Sequence, residues 1–195
     1  MRLLIMGPPG AGKGTQAQRV AAHYEIPAIS TGDIFRAMKT SDTPLARQLR
    51  AIVDSGGLVS DEITNAVVAE RLTESDCVSG FLLDGYPRTL QQVEALDDFL
   101  ASSGQSLDAV ISLLADVDEV VDRLLKRAEV EGRSDDTVDT IRRRQAIYLR
   151  ETEPLLEVYR DRGLLVEVDG LGAVEDVSAR LFAALDSRSN ELATQ

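Results

Sequence analysis

The sequence predicts an α/β domain, a parallel sheet with helices packed on it. Five short apolar runs alternate with segments of helical periodicity, and a glycine-rich loop joins the first run to the first helix. The 195 residues suffice for one domain with a sizeable core. In chain order, Arg2–Met6 has strand length, and the helix from Lys13 to Tyr24 must end before Pro27. Ala28–Ser30 is the second strand and Asp33–Met38 a short helix. Pro44 suits a helix start, and Leu45, Leu49, Ile52 and Val53 recur at helical spacing until Gly56-Gly57. Helix Asp61–Leu72, strand Phe81–Asp84, helix Leu90–Leu100, strand Ala109–Leu114 and helix Val117–Arg127 continue the alternation. Thr137 to Asp161 reads as one long helix kinked at Pro154. Strand Leu164–Val168 and helix Val174–Leu185 close the fold, and the polar Ser187–Gln195 is left as a frayed tail. This alternation builds right-handed βαβ units, whose ligands gather at the carboxyl ends of the strands. Ser30–Val59, helical without a strand of its own, and the polar Ala128–Asp136 read as covers on the sheet.

Composition excludes several functions. The 33 acidic residues outweigh 21 basic ones for a net charge of −12, which argues against a broad basic face for nucleic acid or anionic lipid. Cys77 and His23 are each alone, so neither a disulfide framework nor a Cys/His structural zinc is expected. No window approaches the ~20 apolar residues of a membrane span. The opening apolar run is too short for a secretory leader, so a soluble cytoplasmic protein is expected. Only Lys13, Lys39 and Lys126 of the basic residues are lysines; the rest are arginines, the side chain of bidentate phosphate recognition. Composition alone does not separate that reading from a genomic bias.

Gly7-Pro8-Pro9-Gly10-Ala11-Gly12-Lys13-Gly14-Thr15 is the strongest signal. It ends an apolar strand and opens a helix, the context of a phosphate loop. Its glycines let backbone N–H groups turn inward around phosphate oxygens, and the helix N-terminus adds positive potential. Lys13 can neutralise β- and γ-phosphates. Position 14 is Gly where the common pattern has Ser or Thr, with the hydroxyl one place later at Thr15.

Three further segments describe a second site. Ser30-Thr31-Gly32-Asp33-Ile34-Phe35-Arg36 places a hydroxyl and an arginine around a helix start. Phe81-Leu82-Leu83-Asp84-Gly85-Tyr86-Pro87-Arg88-Thr89 ends a strand in a carboxylate, a tight turn and another arginine, with Gln92 one helical turn on. Arg133-Ser134-Asp135-Asp136 precedes Arg144 on the next helix. Asp33 suits helix capping as well as a site role, Asp135 and Asp136 suit arginine restraint or capping of the long helix, and Arg142 and Arg143 read as solvated ion pairs.

With these four motifs in this order, the chain from Met1 to about Leu185 resembles the adenylate kinases. The resemblance implies a five-stranded parallel sheet of the P-loop nucleoside triphosphate hydrolase type, with core residues 1–29, 60–127 and 137–186. A segment at 30–59 would bind the nucleoside monophosphate, and 128–136 would be a short lid. It implies reversible phosphoryl transfer from MgATP to AMP, giving two ADP, by a cytoplasmic monomer with no nucleic-acid or membrane partner. Gly10, Ala11, Gly12, Lys13, Gly14 and Thr15 would hold ATP phosphates, with Arg127 at the lid hinge and the Gly172 backbone at the adenine. Thr31, Arg36, Gly57, Leu58, Val59, Gly85, Tyr86, Pro87, Arg88 and Gln92 would hold AMP. Lys13, Arg88, Arg123, Arg133 and Arg144 would neutralise the transferring group, the last two also touching AMP. Asp84 would hold Mg²⁺ through water, and the short lid implies no structural zinc. A Gln92 amide matches the amino and ring-nitrogen edge of adenine. Cytosine offers a similar amino edge, which keeps a UMP/CMP-type kinase as the alternative within the class. A nucleotide-dependent switch is the alternative outside it, although a switch has no need of the second arginine set.

Overall fold

A computed structural model describes residues 1–38, 44–115, 124 and 137–193. Five strands, β1 (Arg2–Met6), β2 (Ala28–Ser30), β3 (Phe81–Asp84), β4 (Ala109–Leu114) and β5 (Leu165–Asp169), form one parallel sheet in the order β2-β3-β1-β4-β5. Leu3 pairs with Leu82 on one side of β1 and with Ala109 on the other. Successive side chains of a strand point to opposite faces, so a strand covered on both faces reads as a continuous apolar run. Leu4, Met6 and Leu83 accordingly join one core with Val93, Leu96 and Tyr159. Leu3, Ile5 and Leu82 join another with Val20, Ile111 and Leu181.

The helices are α1 (Lys13–His23), α2 (Thr31–Met38), α3 (Pro44–Asp54), α4 (Asp61–Leu72), α5 (Leu90–Ser102), α6 (Val138–Ile147), α7 (Pro154–Asp161) and α8 (Val174–Ala193). Phe35 of α2, Leu49 of α3 and Val59 share a small separate cluster with Ile52, Val53 and Ile63. The stretch without a strand thus holds itself together by helix packing beside the sheet.

Three expectations change. α2 starts at Thr31 rather than Asp33, because the Ser30 hydroxyl accepts the Asp33 N–H at 3.2 Å and takes the capping role. The long helix is divided rather than kinked. A π-helical turn over Tyr148–Thr152 separates α6 from α7, closed by Glu153 N–H donating to the Tyr148 carbonyl at 2.8 Å. Pro154 lacks an N–H and its ring crowds the carbonyl four residues back, so the ladder widens before it and α7 restarts with proline in its first turn. The tail expected to fray from Ser187 is helical to Ala193. Arg188 Nε donates to the Asp108 carbonyl at 2.7 Å and ties that last stretch to the start of β4. The expected helix at Val117–Arg127 is outside the described residues apart from the helical Leu124. Among the described residues no helix is long and apolar enough to cross a membrane.

Candidate active site

The carboxyl ends of β2, β3 and β1 lie side by side, and a cleft of about 730 Å³ opens along them. The phosphate loop forms one wall. Gly10 and Gly12 adopt φ of +88° and +87°, a left-handed conformation that costs an L side chain about 1–2 kcal/mol. Gly12 is the residue from which α1 begins. Lys13 Nζ donates to the Gly7 and Pro8 carbonyls at 2.8 and 2.9 Å, which folds the ammonium back over the loop. A Cβ on Gly14 would stand 3.7 Å from Asp84 Oδ2, so the carboxylate ending β3 lies against the first turn of α1. One carboxylate beside a phosphate-binding turn fits Mg²⁺, which keeps several waters and takes few protein ligands. Among the described residues no group of three or more His, Cys, Asp or Glu could hold a metal by itself.

The other wall is built around Arg88. The Gly85 carbonyl accepts from Thr31 Oγ1 at 2.9 Å and Arg88 Nε at 2.7 Å. Arg88 N–H donates to Gln92 Oε1 at 2.8 Å, and the Arg88 carbonyl accepts from Thr152 Oγ1 at 3.0 Å. The residue is therefore pinned on both sides of its backbone and along its side chain. Burial draws its guanidinium below its ordinary value; Asp84 opposes that, while Arg144 and Arg36 reinforce it. A guanidinium stays charged regardless. Asp84, Arg36 and Arg144 thus all lie near enough to Arg88 to act on its charge.

Arg36 pairs with the Asp33 carboxylate, so Asp33 holds an arginine while Ser30 caps. Residues Gly57, Leu58 and Val59 line the cleft after α3. A Cβ on Gly56 would come within 3.1 Å of the Thr140 carbonyl and 3.4 Å of Arg144 Cγ, which puts α6 against this turn. Gln145 of α6 donates to the Pro9 carbonyl at 3.3 Å. α6 thus spans the two walls with Arg144 between them, whereas Arg142 and Arg143 are exposed, as a solvated role requires. The helix is capped by Thr137, whose hydroxyl accepts the Thr140 N–H, while Thr140 Oγ1 accepts the Thr137 N–H at 2.9 Å. The capping role considered for Asp135 and Asp136 falls to Thr137. Gly172 (φ +103°) borders the cleft in a loop held by Arg180, which donates to the Asp169 carbonyl at 2.9 Å and to that of Leu171. The buried Gln16 donates to the Val174 carbonyl at 3.0 Å and accepts from Ser178, so this loop is tied to α1.

Every expected site residue within the described part lines this one cleft, from Gly10–Thr15 through Thr31, Arg36, Gly57–Val59, Asp84–Arg88 and Gln92 to Arg144 and Gly172. Arg123, Arg127 and Arg133 lie outside the described residues, as do Asp135 and Asp136. Arg88 and Gln92 both face the cleft, as their spacing of one helical turn suggested. Arg88 precedes the α5 cap Thr89, and the Gln92 amide also holds the Arg88 backbone N–H. Sequence reasoning missed Thr152 and Asp61. Both were read as parts of ordinary helices, and their bonds to Arg88 and Gln92 span 64 and 31 positions.

Known proteins match this chain along most of its length. The adenylate kinase family model matches residues 5–164. An adenylate kinase from Nocardioides sp. is 60% identical over 186 residues, covering 95% of this chain and 97% of the relative. One from Leifsonia xyli subsp. xyli is 60% identical over 95% of this chain and 94% of its own length. One from Thermobifida fusca is 51% identical over 97% of this chain and all of its own. With a parallel sheet, a phosphate loop and a cationic second wall already in place, these matches show that the chain belongs to the adenylate kinase family.

Proposed function

We propose that this cleft binds ATP along the phosphate loop and AMP along the Thr31–Arg88 wall, and passes the γ-phosphoryl group directly between them to give two ADP. The reaction is the phosphotransfer of an adenylate kinase. One P–O bond forms to an α-phosphate oxygen of AMP as the β–γ bridging P–O bond breaks. The accepting oxygen is already ionised, so no general base is needed. Two nucleotides bring about six negative charges, and catalysis rests on alignment and neutralisation. In this reading Lys13 meets the β- and γ-phosphates, Arg88 and Arg36 meet the AMP phosphate, and Arg144 stands between the two, joined by Arg123 and Arg133. Arg127 would contact ATP at the lid hinge, the Gly172 backbone would meet the ATP base, and Gln92 the AMP base. Mg²⁺ arriving with ATP would be held through water by Asp84 and would neutralise phosphate charge there. A cover at 128–136 that brings in Arg133 would also exclude water, the competing acceptor.

The observation that carries the reading is the convergence of the Lys13 loop, Asp84, Arg36, Arg88 and Arg144 on one cleft. A switch that only binds and releases one nucleotide needs no second cationic wall. The net charge of −12 speaks against a nucleic-acid or anionic membrane partner, and the family resemblance supports a cytoplasmic monomer with ATP, AMP and ADP as its partners. ADP formation from ATP with AMP, CMP, UMP and GMP in turn tests the acceptor. AMP is expected to be turned over fastest; equal or faster use of CMP or UMP would move the assignment to the UMP/CMP-type kinases. One-to-one binding of two adenosines joined through five phosphates, displacing both ATP and AMP, is expected if the sites adjoin.

A further inference from the structure

We propose that Asp61 is a specificity-determining positioning residue. Its carboxylate fixes which way round the Gln92 amide faces the cleft, and so sets the preference for an amino-bearing purine over an oxo-purine. The proposal rests on the reading that Gln92 meets the base of the acceptor nucleotide.

Gln92 is 2% exposed, yet it borders the cleft, so its amide has few partners and each is fixed. Its oxygen accepts the Arg88 backbone N–H at 2.8 Å. Its nitrogen donates to Asp61 Oδ1 at 2.7 Å. A backbone N–H can only donate, and a carboxylate only accepts. Turning the amide over would set N–H against N–H at Arg88 and oxygen against oxygen at Asp61. Each mismatch leaves a buried polar group unsatisfied. Asp61 itself is held in place: Oδ2 accepts from Thr89 Oγ1 at 2.9 Å, and Thr89 Oγ1 accepts the Gln92 backbone N–H at 3.2 Å. Asp61 opens α4 and Thr89 caps α5, so one carboxylate joins the starts of two helices and the reading side chain. It stands outside the cleft lining and reaches the cleft through Gln92.

A primary amide has two N–H groups and two acceptor lone pairs. Arg88 and Asp61 take one of each, leaving one N–H and one lone pair adjacent and in fixed order. That order complements an amino group beside a bare ring nitrogen, which is the edge of adenine. It opposes a carbonyl beside a ring N–H, the edge of hypoxanthine. Without Asp61 only the Arg88 N–H would hold that order, so the amide could turn over at the cost of one mismatch rather than two, and the base preference would relax.

The test compares KM for AMP with the inhibition constant of inosine monophosphate as its competitor, in the full chain at saturating ATP. Asp61→Leu is expected to narrow the gap between the two tenfold or more, with KM for ATP unchanged. Asp61→Asn, which can still turn its oxygen to Gln92, is expected to keep the gap within threefold. A merely structural role for Asp61 would weaken both nucleotides together and leave their ratio alone, and that result would overturn the proposal. Gln92→Leu separates the two levels. If it leaves the ratio unchanged, Gln92 does not read the base. If it collapses the ratio while Asp61→Leu does not, the orienting role of Asp61 is wrong. Should Asp61→Leu fail to fold, Asp61→Ser, too short to reach the amide, decides in the same assay.

Discussion

Gly85→Ala isolates the geometry of the Arg88 wall. Gly85 has φ of +83°, and a Cβ there would stand 2.8 Å from Thr31 Oγ1 and 2.9 Å from an Arg88 terminal nitrogen. The left-handed backbone costs alanine about 1–2 kcal/mol. Both contacts are below the distance of real Cβ neighbours, so the Thr31 hydroxyl and the Arg88 guanidinium must shift away from the Gly85 carbonyl that they hold. Stability is therefore expected to fall by at least that backbone amount, read from urea unfolding. The larger effect falls on AMP. A charge-assisted hydrogen bond is worth about 1.5–3 kcal/mol, so displacing the guanidinium should lower kcat/KM for AMP by roughly 10- to 150-fold. KM for ATP should change less than threefold, because Arg88 lies on the opposite wall from the phosphate loop. Initial-rate measurements with each nucleotide varied in turn decide it. An AMP kcat/KM within twofold of the unmodified protein would refute the view that Gly85 makes room for Thr31 and Arg88.

Lys13→Met is expected to abolish nearly all turnover while far-UV circular dichroism and the unfolding midpoint stay close to those of the parent; retained turnover would remove the ammonium from the reaction. Thr152→Val keeps the side-chain shape but removes the donor to the Arg88 carbonyl. A buried acceptor left unpaired costs about 1–3 kcal/mol, and AMP kcat/KM should fall about tenfold on the same scale, with Thr152→Ser restoring it. Burial pushes the Cys77 thiol up to about 11, helped by its bond to Asp76 and opposed by Arg71. The folded state then keeps a proton that the unfolded chain loses near its ordinary value of 9. That contribution to stability is full below pH 9 and is lost as pH rises toward 11, so urea midpoints should decline across that window more in the parent than in Cys77→Ala.

Local chemistry settled much of this molecule. Strands buried on both faces must read as short apolar runs, and β1 to β4 coincide with those runs; β5 is displaced by one residue. A glycine loop that turns backbone N–H groups inward has few other uses, which is why Gly7–Thr15 could be read directly from the chain. The motif residues around Thr31, Arg36, Asp84 and Arg88 were legible because each sits at the carboxyl end of a strand or just beyond it, where such folds place ligands. What sequence could not supply was partnership across distance. The widened turn before Pro154 exists because proline removes a ladder bond, but that it delivers the Thr152 hydroxyl to the Arg88 carbonyl depends on how α7 packs against the sheet. The helix running on to Ala193 is tied to the sheet near its end by Arg188, which reaches the Asp108 carbonyl 80 positions away. Asp61 looks like an ordinary acidic helix start until α4 and α5 pack together and give its carboxylate the Gln92 amide. Sequence determined which groups are present and on which element; tertiary packing decided which donor meets which acceptor, because hydrogen bonds of this kind are fixed at about 3 Å by segments that the chain itself keeps far apart.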